Sequence, residues 1–274
     1  MSNTTAVIIP VYRPEPDENE KMSLSQCISV LGQHPIIFFC GFSFDYSYYK
    51  IFVEAHGVPF QKRTFPDSFF RSKEAYNKLC LSKDFYAAFT AYEFVLIYQL
   101  DAWVFRDEIA YWCSTEYDYI GAPYPTDFDA PTSDVVFSVV GNGGFSLRRV
   151  QPIVHLLGTF RRMNTLPQLL KAYRARTRKN PLLYLYVLVR YAGFRNTIGY
   201  LKTGKWEDHF FSEVGRLTPY LKIPTADVAL RFSFEYKPTA AFITNKGRLP
   251  FGCHGWTWIE YDEFWGNYIQ DEHT

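Results

Sequence analysis

The chain has 274 residues, 47% of them hydrophobic and 19% aromatic, with a formal charge of +1. That length supports a sizeable core, and the composition excludes a disordered chain and argues against a uniformly basic nucleic-acid binder. Five scattered cysteines, Cys27, Cys40, Cys80, Cys113 and Cys253, form no C-x-x-C pair, which fits a reducing cytosol with no zinc or redox centre.

In chain order, Met1 leads into a first apolar run with no basic region before it, so no signal peptide is expected. Residues 6–9 read as a buried strand stopped by Pro10, and residues 23–31 as a helix. A second strand over 36–40 ends at Gly41, a helix over 48–56 is followed by Gly57, and 58–61 reads as a short edge strand. Residues 69–79 carry basic and amide groups towards a helix over 83–91. Strands alternating with helices predict an α/β fold with a mostly parallel sheet and right-handed crossovers.

Residues 94–99 are almost continuously apolar, and one carboxylate, Asp101, follows them. A parallel strand buried on both faces reads this way, and ligands of such sheets bind outside the carboxyl ends of the strands. Asp101 is therefore a candidate ligand-binding group, or else a cap for the helix expected from about Asp107. A short strand near 117–120, a long acidic loop over 126–134 and a strand over 135–140 follow. Gly141-Asn142-Gly143-Gly144 then lets the backbone approach a ligand, or simply closes a tight hairpin.

Residues 135–206 contain no Asp or Glu, although thirteen Arg and Lys residues lie there, so the near-zero total hides a basic segment. The apolar run at 182–189 inside it is too short to span a bilayer but suits an anionic membrane surface or a lipid-phosphate substrate; a solvated basic face is the alternative. No nucleic-acid recognition module is evident. Glu207-Asp208 opens a further helix, where one carboxylate caps the amides and the other is free for general-base work. Residues 223–229 and 232–235 read as strand fragments, and glycines flank His254 closely enough to leave its imidazole accessible.

Taken in order, these motifs resemble a glycosyltransferase of the GT-A fold. Val7-Ile8-Ile9-Pro10-Val11-Tyr12 looks like the first nucleotide-binding strand and Asp101-Ala102-Trp103 stands at the D-x-D motif. Gly141-Asn142-Gly143-Gly144-Phe145 looks like the sugar-site turn, Glu207-Asp208 like the x-E-D pair, and the stretch from Phe251 to Trp256 like the late metal-site histidine. The segments at 98–105, 117–123 and 250–256 are also similar to a little-characterised bacterial family of glycosyltransferase-like proteins of unknown function.

The resemblance implies one GT-A-like domain, with a nucleotide-binding half over 1–125 and an acceptor and catalytic half over 126–274 that includes a basic helical segment at about 152–204. It implies transfer of a sugar from a nucleotide-diphosphate donor to a glycan or lipid-linked glycan in bacterial surface polysaccharide synthesis, such as O-antigen. The reaction would be inverting, at the cytoplasmic face of the membrane, with Asp208 as base and Glu207 as cap or acceptor contact. Pro10, Val11 and Tyr12 would line the nucleobase pocket; Arg71, Asn77, Asp101, Ala102 and Trp103 would complete the donor site. Asn142, Gly143, Gly144 and Trp256 would contact sugar or acceptor, and Asp101 with His254 would hold Mn2+ or Mg2+. Trp103 replaces the usual second Asp, so without metal Arg71, Lys78 or Arg148 would have to stabilise the charge. A catalytically silent carbohydrate- or membrane-binding domain is the alternative; a nucleotidyltransferase is disfavoured by the lack of a Gly-rich basic loop after the first strand.

Overall fold

A computed structural model describes residues 5–174 and 181–269. Its strands are β1 (Thr5–Pro10), β2 (Ile36–Gly41), β3 (Phe60–Phe65), β4 (Phe94–Tyr98), β5 (Ala102–Val104), β6 (Tyr119–Ile120), β7 (Pro123–Pro125), β8 (Phe137–Val140), β9 (Phe145–Arg149), β10 (Ser233–Phe234) and β11 (Gly252–His254). The α-helices are α1 (Glu18–Leu31), α2 (Ser47–Ala55), α3 (Lys73–Cys80), α4 (Lys83–Ala87), α5 (Ile109–Ser114) and α6 (Val150–Gly158). They continue with α7 (Leu166–Arg174), α8 (Pro181–Ala192), α9 (Ile198–Lys202), α10 (Glu207–Leu217), α11 (Ala226–Phe232) and α12 (Pro238–Thr244).

The main sheet has the order β3-β2-β1-β4-β9-β6, with β1, β2, β3 and β4 parallel and β9 antiparallel to both β4 and β6. Every residue of β1, β2 and β4 is buried, as expected when helices cover both faces of a parallel sheet. Their side chains alternate between two apolar layers. Val7, Ile9, Phe38 and Leu96 pack with α1, α2 and α5, while Ala6, Ile8, Phe39 and Ile97 pack with α3, α4, α6 and α10. The chain moves outward from β1 through β2 to β3 and then returns to β4 on the other side of β1. That reversal makes a crevice at the carboxyl edge between β1 and β4.

Several elements depart from expectation for local reasons. Helix α1 starts at Glu18 rather than near residue 23, because Asp17 and Glu20 form a capping box. Ser23, which looked like a helix start, instead donates from its hydroxyl to the Ala102 carbonyl at 2.7 Å. Helix α4 stops at Ala87 rather than at 91. The fragment at 223–229 is not a strand: residues 226–232 form α11, which buries Ala229, Leu230 and Phe232. Strand β8 pairs with β7 in a separate two-stranded sheet and not with the main one.

Candidate active site

The carboxylate after β4 lies at the crevice. Residues 99–101 turn the chain between β4 and β5, closed by the Ala102 amide donating to the Gln99 carbonyl at 2.9 Å. The Ala102 carbonyl anchors this turn by accepting from Ser23 Oγ at 2.7 Å, Tyr98 OH at 3.1 Å and Trp256 Nε1 at 3.2 Å. Strand β11 runs antiparallel to β5 with His254 opposite Ala102, which brings the imidazole to Asp101. His254 Nε2 is 3.0 Å from Asp101 Oδ1, and its Nδ1 is 3.0 Å from Glu235 Oε1, just after β10.

Two carboxylates therefore bracket one imidazole. Burial opposes the imidazolium, but Asp101 and then Glu235 push its pKa from an ordinary 6.5 up to about 10. Burial likewise works against the Asp101 anion, yet the facing His254 holds that carboxyl below its usual value, with help from the Trp258 side chain.

The turn at residues 141–144 joins this cluster to a second one. Asn142 adopts a left-handed φ of 65°, tolerated because its Oδ1 accepts from the Gly144 amide at 2.7 Å and the Phe145 amide at 3.2 Å. The two glycines are required by space. A Cβ on Gly144 would come 2.0 Å from His254 Nε2, and one on Gly143 would come 2.0 Å from Glu207 Oε1. On the sheet side, the Gln99 amide donates to the Gly144 carbonyl at 2.8 Å.

Glu207 and Asp208 open α10, where the helix dipole favours negative charge. One carboxylate does bond a first-turn amide as expected, Asp208 Oδ1 accepting from the His209 amide at 2.7 Å, and the remaining capping comes from across the fold, from Asn77 of α3. Its Oδ1 accepts from the Glu207 amide at 2.7 Å and its Nδ2 donates to the Lys205 carbonyl at 3.0 Å. Glu207 is buried against Arg148, Oε1 to Nη2 at 2.9 Å, and burial raises its carboxyl above the ordinary value. Arg148 is fully buried, donates to Tyr86 OH at 2.7 Å, and lies 5.3 Å from the ring centre of Tyr119 and 5.6 Å from that of Phe211. Its charge, opposed by burial, is held by Glu207. Asp208 is more accessible. Its Oδ2 accepts from Tyr124 OH, which in turn accepts from the Asn142 amide at 3.3 Å. Burial and the neighbouring Asp208 keep the Tyr124 phenol far above its ordinary range, so it stays a donor.

Asp101, Asn142, Gly143, Gly144, Glu207, Asp208 and His254 thus form one contiguous network at the carboxyl edge of the sheet. Other expected residues fall elsewhere or act differently. Pro10 and Val11 are buried, Val11 within the apolar layer, and only Tyr12, 56% exposed, is left to meet a base. Arg71 and Lys78 are exposed. Arg148 is committed to Glu207 and is not available to a phosphate. Trp103 packs edge-on against Trp256 at 5.5 Å, which explains an aromatic residue at this position. Trp256 is 1% exposed and so cannot be a sugar platform; the exposed indole of that loop is Trp258, at 61%.

Gln99, Tyr124, Glu235 and Trp258 join the site without having been singled out for it in the sequence. Trp258 and Tyr236 are ring neighbours, and Tyr236 also meets Tyr124 and Phe128, giving the network an aromatic rim. A cleft of about 400 Å³ lined by Trp206, His209, Glu213 and Arg216 adjoins Asp208. Oε2 of Glu207 and Oε2 of Glu235 are buried with no hydrogen-bond partner among the described residues.

The donor chemistry fits a divalent cation only in part. Among the described residues no group of three or more His, Cys, Asp and Glu is arranged to hold one. Asp101 and His254 supply one oxygen and one nitrogen, and Glu235 behind Nδ1 is the kind of carboxylate that orients a ligating imidazole. Mg2+ commonly binds through one or two carboxylates together with substrate phosphates, so two protein ligands suffice when a diphosphate completes the shell.

Several solved structures are similar to this chain at low identity. Core-mannan synthase A from Aspergillus fumigatus, in its Mn/GDP form, is 12% identical with a TM-score of 0.45 over 78% of this chain and 70% of its own. The apo form of the glycosyltransferase GlyE of Streptococcus pneumoniae is 11% identical with a TM-score of 0.44 over 92% of this chain; the match spans only 54% of GlyE. A glycosyltransferase involved in glycosylation of the major capsid of PBCV-1 is 10% identical with a TM-score of 0.39 over 94% of this chain and 96% of its own. No curated protein matches the sequence. A family model matches residues 59–254, well over half of the chain, which therefore belongs to the family described as "Protein of unknown function (DUF5672)".

Proposed function

We propose that the protein is a glycosyltransferase that moves a sugar from a nucleoside-diphosphate donor to a hydroxyl of a glycan or lipid-linked glycan acceptor. The observation that carries this reading is the 141–144 turn, whose adjacent glycines admit His254 with Asp101 on one side and Glu207 with Asp208 on the other. A donor in the crevice between β1 and β4 has the exposed Tyr12 ring for its base and Arg71 or Lys78 for its phosphates. The Oε2 atoms of Glu207 and Glu235, which have no partner among the described residues, are acceptors for sugar hydroxyls.

The acceptor enters the cleft beside Asp208, along the aromatic rim. Its hydroxyl oxygen bonds to the anomeric carbon as its proton passes to Asp208 Oδ1 or Oδ2. The bond from the anomeric carbon to the diphosphate oxygen breaks, and the nucleoside diphosphate leaves. One displacement inverts the anomeric centre. Tyr124 orients the base through Oδ2, and Glu207, held by Arg148, positions the turn. A bound cation, held by Asp101 and His254, would neutralise charge on the departing diphosphate. We place the reaction in bacterial surface polysaccharide synthesis, at the cytoplasmic face of the membrane.

A panel of nucleotide-sugar donors, with and without Mn2+, tests this by thermal shift and calorimetry. At least one donor is expected to stabilise the protein, and the corresponding free nucleoside diphosphate to bind. A protein that binds glycan but no nucleotide would instead be a silent carbohydrate-binding domain.

A further inference from the structure

A cavity of about 540 Å³ lies away from the candidate active site, at the far end of α10. Pro219 and Tyr220, which line it, follow a helix of 11 residues that begins at Glu207, so about 16 Å of helix separates the two sites. Arg161 and Arg162 are its charged walls. The Arg161 guanidinium stacks 4.5 Å from the Tyr220 ring and that of Arg162 stacks 4.4 Å from the Tyr191 ring. Their recorded polar contacts are to neutral oxygens, Thr159 Oγ1 and Tyr191 OH. Among the described residues the stacked guanidinium groups keep further N–H donors without a partner, the arrangement that suits an oxyanion.

Tyr191 belongs to α8, and the rest of that helix is unusual. Leu185 is 61% exposed and Val189 62%, and with Leu188 they lie on one side at i, i+3 and i+4 spacing. Val187, pointing away from that side, is buried. Phe160, which lines the cleft, and Phe194, just after α8, are exposed as well. The same 135–206 stretch of the chain carries Lys171, Arg190, Arg195 and Lys202 and has no acidic residue. No helix among the described residues is long and apolar enough to cross a membrane.

We propose that α8 and the Arg161–Arg162 cleft form a docking surface for an anionic phospholipid bilayer. The cleft takes a lipid phosphate and Leu185, Leu188 and Val189 enter the headgroup boundary. Charge complementarity singles out this occupant: an exposed apolar face on a stretch that carries cations and no acidic residue matches a surface that is apolar beneath and anionic above. The proposal does not depend on the glycosyl-transfer reading, since lipid binding is measured without a donor.

Co-sedimentation with phosphatidylcholine vesicles, with and without phosphatidylglycerol, tests it. The protein is expected to bind the anionic vesicles about tenfold or more tightly, with affinity falling as salt rises. R161Q/R162Q is expected to remove most of the anionic preference, and L185S/V189S to weaken binding even at low salt. Both alter exposed or partly exposed side chains, and unchanged circular dichroism checks their folding. Equal binding to both vesicles, or wild-type binding by both variants, would overturn the proposal. So would a dimer dissolved by L185S/V189S in a protein indifferent to vesicles, or a thermal shift from inorganic phosphate, lost in R161Q/R162Q, in such a protein.

Discussion

Gly144 sets how closely His254 approaches Asp101, because any Cβ there would occupy the position of Nε2. Gly144→Ala should therefore expel the ring and reproduce the donor-binding defect of His254→Ala while the fold persists; calorimetry with the binding nucleotide compares the two. Protonation of His254 gives a second residue-scale expectation. With a folded value near 10 against an ordinary 6.5, the imidazole stabilises the fold fully below about pH 6.5 and gives up that stability as pH rises towards 10. A cation must displace the same proton, so apparent Mn2+ affinity should rise up to about tenfold per pH unit between neutrality and pH 9. Affinity independent of pH in that window would mean that Nε2 is not a ligand. At this scale the sequence singled out rare polar residues in apolar settings, Asp101, Asn142, Asp208 and His254, and the structure brings them together. It was silent on Glu235, Tyr124 and Trp258, whose roles arise from contacts between distant segments. It misdirected Trp256, because an indole beside a histidine looks the same in sequence whether it is buried or exposed.

At the scale of elements, the entry to α10 depends on a residue of α3. Asn77 holds both the Lys205 carbonyl and the Glu207 amide, a cap supplied from across the fold. Asn77→Ala should cost about 1 kcal/mol in denaturant unfolding and lower turnover further by loosening Glu207 and Asp208. The buried Arg148–Glu207 pair should be more sensitive. Arg148→Met leaves an uncompensated carboxylate and is expected to destabilise the protein by about 3–5 kcal/mol, partly relieved when Glu207→Gln is added. The strands β1, β2 and β4 were legible as apolar runs because both sheet faces are covered. Helix α11 was not, since seven residues with mixed apolar spacing read equally well as a strand, and packing against β8, with β7, β10 and α12, decides the matter.

Across the whole molecule, sheet order concentrates chemistry on one edge. The parallel strands deliver Tyr12 and Asp101 there, and the antiparallel β9 begins there, which brings the glycine turn to the same place. The cleft beyond the opposite end of α10 is lined by Arg161, Arg162 and Tyr191 of α8, so the proposed donor site and the proposed lipid contact are separated by the length of that helix. The alternation of strands and helices made this α/β plan visible in the sequence. The convergence of Glu207 with His254 was not, because it rests on two close approaches to glycines. The most direct test of the central claim is donor turnover in Asp208→Asn, measured as nucleoside diphosphate released with the best donor and acceptor. Loss of at least about a hundredfold in kcat with nucleotide binding unchanged is the expected result; turnover equal to wild type would contradict the assignment of Asp208 as the base.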